Sequence, residues 1–260
     1  MTTNPETDAP PDTMDENREA LGFAYKRPDI DLADATPPDV RRASFRARKA
    51  LEQVVFDTVK LEGNPYTFPE VKTLLDGVTV GGHKLSDEKQ ILNQARSWER
   101  LLDLVKDQAF RVDKDTFCEL HALAAEEEAL TWGKFRDGDV SIAGTDHRPP
   151  PAEKLDEIFA KGAERISRIG NPIERGAAFF LFGSLHQFFF DVNKRVSRLI
   201  MNGILLSAGY DVINIPAKRQ LEFNEKMVRF YDTQDGTEMI AFLVSCSLDA
   251  KLAKQGAAGA

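Results

Sequence analysis

Residues 187–198 read QFFFDVNKRVSR, and they lie between two segments that both carry helical patterns. The first of these segments starts at Asn171-Pro172-Ile173-Glu174, where asparagine is a favoured N-cap and proline suits the first helical position. We predict a helix from there to about residue 187 and another from about residue 193 to just before Gly209. The connecting loop then places its polar side chains at the start of the second helix.

These polar side chains suit the binding of an anion. Unpaired backbone N–H groups and the positive end of the helix dipole favour phosphate at a helix N-terminus. Arg195 and Arg198 are three residues apart and share a helix face. Asp191 can hold a hard divalent cation that keeps most of its waters. Together with Asn193 and Lys194, the set fits a metal-bound polyphosphate; the alternative is a polar helix start with a solvated basic turn.

The rest of the chain is also mainly helical. Apolar residues recur at three- and four-residue steps from Val40 to Leu61 and define one helix, which Gly63 and Asn64 end as C-terminal breakers. Residues 132–151 differ, because Val140-Ser141-Ile142 alternates between glycine-rich flanks and three prolines follow; this pattern predicts a short β-hairpin. The remaining helical patterns cover approximately residues 68–75, 86–105, 115–130, 152–169, 217–231 and 236–251.

Composition limits the possible classes of protein. The chain has 260 residues, 42% of them hydrophobic, and a net charge of -8, which argues against a general nucleic-acid binder. Cys118 and Cys246 lack metal-ligand spacing and indicate reduced thiols. We find no secretory signal pattern and no run of 18 apolar residues, so we expect a cytoplasmic protein that does not contact the membrane. Residues 1–36 are rich in Pro, Thr, Asp and Glu and predict a disordered N-terminal tail.

The quoted stretch resembles the motif of the Fic family, H-P-F-x-D/E-G-N-G/K-R-x-x-R. Asp191, Asn193, Arg195 and Arg198 fall on four defined positions, and Phe189 falls on the motif phenylalanine without a gap. Five agreements at fixed spacing make the resemblance specific. It extends over roughly residues 40 to 250.

Two further segments resemble parts of this family. Thr58-Val59-Lys60-Leu61-Glu62-Gly63-Asn64 is similar to the inhibitory motif S/T-x-x-x-E-G/N, in the class whose inhibitory helix precedes the Fic domain. Val140-Ser141-Ile142-Ala143-Gly144, with the prolines after it, resembles the flap. The resemblance implies a Fic-type helical bundle with a short β-hairpin flap. We predict a disordered tail, an inhibitory helix region, the Fic domain and a frayed C-terminus over residues 1–36, 37–66, 67–252 and 253–260.

The resemblance also implies an activity, the transfer of AMP from ATP to a hydroxyl group of a target protein or of the chain itself. ATP and Mg²⁺ would be the cofactors, with Asp191 as the magnesium ligand. Asn193 and Arg195 would stabilise phosphate charge, next to Lys194 and Arg198. The flap, Val140 to Gly144, would dock the target segment by strand addition.

In the same family the inhibitory glutamate forms a salt bridge with the second motif arginine. The resemblance therefore implies that Glu62 pairs with Arg198 and withholds it from the γ-phosphate of the nucleotide. Thr58 lies one helical turn before Glu62 and would face the motif as well. A buried charge pair of this kind can act as a switch without adding stability.

Two differences from the adenylylating members of the family matter for the chemistry. Gln187 stands where the family has the histidine that accepts the proton of the target hydroxyl, and an amide cannot act as a base near neutral pH. Either His186, one residue earlier, reaches the site from an overwound helix end, or the base is absent. Lys194 stands where adenylylating forms usually have glycine, and in the relative Doc a lysine here accompanies phosphorylation.

Several functions therefore stay open. A self-inhibited or weakened AMP transferase is the leading hypothesis. The alternatives are a nucleotide-binding pseudoenzyme, a Doc-like protein phosphotransferase, and an enzyme that removes AMP with the help of Glu62; a transcription regulator is a more distant one, since no basic patch is evident. Relatives with an inhibitory helix are often homodimers, so a homodimer is a possible assembly.

Overall fold

A computed structural model describes residues 12–30, 32 and 36–247, with the side chains of residues 12 and 13 excepted. The predicted mainly α class is confirmed, since the described residues form eleven α-helices and two short 3₁₀ turns. The helices are α1 Asp12–Leu21, α2 Val40–Lys49, α3 Leu51–Leu61, α4 Phe68–Leu75, α5 Leu85–Lys106, α6 Lys114–Ala124, α7 Leu155–Ser167, α8 Pro172–His186, α9 Asn193–Ser207, α10 Gln220–Thr233 and α11 Thr237–Ser245.

Helices α8 and α9 form the centre of the molecule. Every residue of α8 from Gly176 to His186 is buried, and so is nearly all of α9. Asn171 caps α8 as predicted, because its side-chain oxygen accepts the N–H groups of residues 173 and 174. Glycine lets the two helices approach closely: a Cβ at Gly183 would lie 2.1 Å from the Ser197 hydroxyl oxygen. This contact fixes the loop that joins α8 to α9.

The sequence predicted one helix from Val40 to Leu61, whereas the structure divides it at Ala50. The Ala50 N–H contacts the carbonyls of both Arg46 and Ala47, and α3 starts at Leu51. The second of these contacts, to Ala47, tightens the chain at the junction of α2 and α3. Helix α3 ends as predicted, since Gly63 adopts a left-handed conformation with φ of 84°.

Residues 12–30 differ from the disordered tail predicted for 1–36. Helix α1 packs on α7, and its last residue, Leu21, is buried in the main core together with Phe23 and Tyr25. These three large side chains lie within five residues and bury apolar surface, although the segment as a whole has a polar composition. Residues 1–11, 31 and 33–35 lie outside the described residues, as does the predicted frayed C-terminus, 253–260.

The predicted β-hairpin of the flap is not confirmed. Residues 132–151 form turns, bends and extended backbone, and the β-bridges of the described chain are two isolated ones elsewhere. An isolated two-stranded hairpin is marginal in water, and here Arg136 fixes the segment instead. Its guanidinium donates to the carbonyls of Gln187, Gly138 and Pro150. The flap is therefore a loop held at both ends by one buried side chain.

In the part of the chain that the structure describes, no helix combines the length and the apolar character that crossing a membrane requires.

Candidate active site

The loop between α8 and α9 is shaped by two left-handed residues and one asparagine. Gln187 has φ of 48° and Val192 has φ of 64°. Asn193 spans the loop, because its amide donates to the carbonyl of Phe189 at 2.8 Å and its oxygen accepts the Phe189 N–H at 2.9 Å. Phe189 itself is fully buried and stacks on His121 with ring centroids 3.7 Å apart. The aromatic ring thus anchors the loop in the core, while Asp191 is exposed and Gln187 and Lys194 are half-buried.

A pocket of about 530 Å³ opens at this loop and brings most of the predicted site together. Its floor is the loop and the first turn of α9, one wall is the flap, and another wall is α10. The predicted residues that line it are Glu62, Ser141, Ile142, Ala143, Gln187, Asp191, Asn193, Lys194 and Arg195. Arg198 and Thr58 lie deeper, where they surround a small internal cavity of about 10 Å³ with Arg195.

Glu62 lies between two cations at the edge of the pocket. Its carboxylate contacts Nη2 of Arg198 at 3.2 Å and Nζ of Lys194 at 3.4 Å, and its side chain is 18% exposed. Burial on its own would raise the pKa of Glu62, but the charges of Lys194, Arg198 and Arg195 together hold it below its usual 4.5. Glu62 is therefore ionised at neutral pH and paired with motif side chains.

The two motif arginines are held differently. Arg195 forms a bidentate pair with Glu128, which keeps the pKa of its buried guanidinium raised against the opposing effect of burial. Burial lowers the pKa of Arg198, and the attraction of Glu62 offsets this only in part. Nε and Nη1 of Arg198 are buried and make no hydrogen bond to the described residues. Arg198 thus has donors available for an anion, whereas Arg195 is already fixed.

The structure contradicts the alternative in which His186 reaches the site. His186 is buried and donates from Nε2 to the carbonyl of Leu21, 2.9 Å away on the side of α1. Burial lowers the pKa of His186 to about 4. Gln187 also has its polar atoms occupied, since its amide donates to the Ser184 carbonyl and its oxygen accepts from Asn193 at 3.0 Å. At motif position 187 the chain offers a hydrogen-bonded amide and no base.

Asp191 is exposed at the pocket, with one carboxylate oxygen accepting the Val192 N–H. The described residues contain no cluster of three or more His, Cys, Asp or Glu side chains that would enclose a metal ion. A single exposed carboxylate suits Mg²⁺, which keeps several waters and takes further ligands from phosphate.

Sequence reasoning missed several residues of the site. Glu128 belongs to a run of three glutamates that is typical of a solvated surface, and nothing in its spacing indicated Arg195 as a partner. The wall contributed by α10 contains Asn224, Met227, Val228 and Tyr231, and no pattern in the sequence indicated that they lie at this pocket. Long-range pairing of this kind is set by the fold and leaves no local pattern.

Comparison with known proteins agrees with this geometry. Residues 111–205 match the Fic/DOC family model. The protein adenylyltransferase Fic of Drosophila virilis is 24% identical over 243 residues, which cover 90% of this chain and 48% of that protein. The counterpart in Drosophila erecta is 23% identical, over 91% of this chain and 46% of that protein. The chain thus spans about half the length of the curated relatives it matches.

Solved structures share the fold. A Fic domain containing signaling protein from Bacteroides thetaiotaomicron superposes with a TM-score of 0.68 at 20% identity, covering 86% of this chain and 92% of that chain. Fic-1 from C. elegans gives 0.66 at 18% identity, over 84% of this chain and 71% of that chain. The motif loop lies within the segment 111–205 that matches the Fic/DOC family model, and the fold of the chain agrees with that of these solved Fic proteins.

Proposed function

We propose that this protein is a Fic-type protein adenylyltransferase that Glu62 restrains and that Gln187 weakens. One observation carries the proposal: Glu62 contacts Arg198 and Lys194 at the pocket that contains Asp191, Asn193 and Arg195. This is the arrangement expected of an inhibitory carboxylate that occupies nucleotide-binding cations. The relatives named protein adenylyltransferase Fic support AMP transfer as the class of reaction.

The residues of the chain have distinct roles in this proposal. Lys194, Arg195 and the N-terminal N–H groups of α9 would bind the polyphosphate, and Asp191 would hold Mg²⁺, which neutralises phosphate charge when bound. Arg198 would turn from Glu62 toward the terminal phosphate, using the two nitrogens that make no hydrogen bond to the described part of the chain. The flap residues Val140 to Gly144 would align the hydroxyl of the target protein.

The reaction itself forms a bond between the target oxygen and the α-phosphorus and breaks the bond to pyrophosphate. The proton of the hydroxyl must leave, and the Gln187 amide cannot accept it. Without a positioned base we expect transfer to be about 100- to 10,000-fold slower than with histidine at this position.

A nucleotide-binding protein without transfer is the second candidate. It is favoured by the internal hydrogen bonds of Gln187 and by the orientation of His186 toward Leu21. Such a protein would bind ATP at the pocket and a partner at the flap, with no covalent step.

The test uses Mg²⁺ and ATP labelled on the α-phosphate. Five proteins are incubated with and without a cell lysate: the unchanged chain, Gln187→His, Glu62→Gly, the double variant, and the double variant with Asp191→Ala as the negative control. We expect label on protein chiefly with the double variant. Label with Glu62→Gly as strong as with the double variant would contradict the role given to Gln187.

No α-label with any protein would contradict AMP transfer. Isothermal titration of Glu62→Gly with Mg-ATP would then identify the second candidate by binding alone. A parallel incubation with γ-labelled ATP distinguishes phosphorylation, the reaction that Lys194 suggested from the sequence.

A further inference from the structure

Three consecutive glutamates follow α6, and each pairs with a different cation. Glu126 contacts Arg96, and Glu127 contacts Lys89; both pairs are on the surface. Glu128 instead reaches Arg195 of the anion-binding loop. Of these three glutamates, Glu128 therefore contacts the site, while Glu126 and Glu127 form ion pairs elsewhere and can serve as controls.

The pair of Glu128 and Arg195 is bidentate and largely buried. Nη1 of Arg195 donates to Oε2 of Glu128 at 2.9 Å, and Nη2 donates to Oε1. The arginine side chain is 4% exposed and the glutamate side chain 24%. A guanidinium has five N–H donors in a planar fork. The two bonds engage both terminal nitrogens, and Arg195 also lines the pocket in which a phosphate would bind.

Glu128 is in turn linked to the inhibitory segment. Nε2 of Gln90 donates to Oε1 of Glu128 at 2.8 Å, and Oε1 of Gln90 accepts from the Asn64 amide at 3.0 Å. Asn64 lies two residues after Glu62. One hydrogen-bonded path therefore runs from the end of α3 through α5 to Arg195, separate from the direct contact of Glu62 with Arg198.

We propose that Glu128 is a positioning residue that fixes Arg195 for phosphate binding, and that Gln90 ties this position to the turn at Asn64. The proposal rests on the proposed nucleotide site. It assigns different parts to the two arginines: Arg198 changes partner when Glu62 is displaced, while Arg195 keeps its orientation because Glu128 holds it. A fixed cation next to a movable one would let the site keep a phosphate contact in both states.

The binding test compares variants made in a Glu62→Gln background, so that the inhibitory charge is removed in all of them. Mg-ATP affinity is measured by isothermal titration for Glu128→Gln and for the matched neighbour Glu126→Gln. We expect about tenfold weaker binding with Glu128→Gln, equivalent to about 1.4 kcal/mol, and less than about twofold change with Glu126→Gln. Gln90→Ala keeps the ion pair and should weaken binding by an intermediate factor; it decides the matter if Glu128→Gln does not fold.

Binding that stays equal or becomes tighter in Glu128→Gln would overturn the proposal and leave the nucleotide site intact. If the Glu62→Gln background itself fails to bind Mg-ATP, the proposed function is wrong. The positioning role of Glu128 is then tested by a measurement on the protein without ligand. Nitrogen NMR of the Arg195 guanidinium, assigned with Arg195→Lys, should show hindered rotation of its terminal groups in the unchanged chain and in Glu126→Gln. Free rotation in the unchanged chain would contradict positioning by Glu128, and loss of the hindrance in Glu128→Gln would support it.

Discussion

Arg136 is the residue on which the position of the flap depends most. It is 3% exposed and donates to three carbonyls that belong to the motif loop and to the two ends of the flap. Burial lowers the pKa of its guanidinium, but an arginine stays charged at any physiological pH. Three carbonyl acceptors thus compensate the burial of this cation.

Arg136→Lys should therefore destabilise the protein by about 2 to 4 kcal/mol, since one ammonium group cannot reach all three carbonyls. Urea denaturation measures the change in the free energy of unfolding. Lys134→Ala, at an exposed residue two positions earlier, should change it by less than about 0.5 kcal/mol. Equal effects of the two substitutions would show that Arg136 does not hold the loops.

At this scale the sequence predicted side chains that lie together in the structure, but it did not predict how they pair. Asp191, Asn193, Lys194 and Arg195 were predicted from one loop, and they line one pocket. Their spacing is local, so helix geometry alone brings them together. Glu128 is 67 residues from Arg195. A contact over that separation depends on the packing of α6 against α9, which no short pattern encodes.

Among the helices, the close approach of α8 and α9 determines where the motif loop lies. Gly183→Ala would place a methyl group 2.1 Å from the Ser197 oxygen, so one helix must shift. We expect a loss of about 1 to 3 kcal/mol in the free energy of unfolding, typical of an overpacked core. Thermal denaturation, monitored by circular dichroism, compares the stability of this variant with that of a control variant.

Gly170→Ala is that control, because a Cβ there would meet no heavy atom within 4 Å. Its stability should stay within about 1 kcal/mol of the unchanged chain. A harmless Gly183→Ala would mean that α8 and α9 lie further apart than described.

The helices themselves were largely predictable, and their interruptions were not. The sequence predicted a capped helix starting at Asn171 and a helix over residues 68–75, and helices α8 and α4 lie at these positions. The division at Ala50 has no glycine or proline to mark it, because alanine is the best helix former. The flap sequence alternates like a strand, but alternation describes a single strand without its partner, and residues 132–151 formed neither strand of the predicted hairpin.

For the molecule as a whole, the N-terminal segment contributes to the core. Phe23 is fully buried and packs edge-on against Phe230, with ring centroids 5.3 Å apart. Phe23→Ala should cost about 3 to 5 kcal/mol. Phe45→Ala removes the same side chain from a site that is 62% exposed and should cost less than about 0.5 kcal/mol.

Chemical denaturation of the two alanine variants tests this difference directly. Similar stabilities would support the tail that composition predicted for residues 1–36. That prediction used the average composition of residues 1–36, whereas the burial of Phe23 and Tyr25 depends on single residues.

Two buried histidines make the stability of the protein sensitive to mild acid. Burial lowers the pKa of His121 and of His186 to about 4, from the usual 6.5. The unfolded chain therefore binds protons at a pH where the folded chain does not. Each neutral histidine makes its full contribution to the free energy of unfolding above pH 6.5. This contribution is lost as the pH falls toward 4, by roughly 3 kcal/mol per group over the whole range.

We accordingly expect the free energy of unfolding to decrease between pH 7 and pH 5. His186→Asn, which keeps a donor for the Leu21 carbonyl but does not titrate, should make this decrease smaller. A pH-independent free energy over that range would mean that both imidazoles are hydrated in the folded protein.

The amide at position 187 also has a genetic consequence. Glutamine and histidine codons differ only in their third base, so one transversion would return an imidazole to a loop whose pocket is already assembled. Glu62 would still occupy Arg198 and Lys194 in such a revertant. On the function proposed above, a lineage carrying this gene would gain a catalytic base in one step while Glu62 still restrained the enzyme.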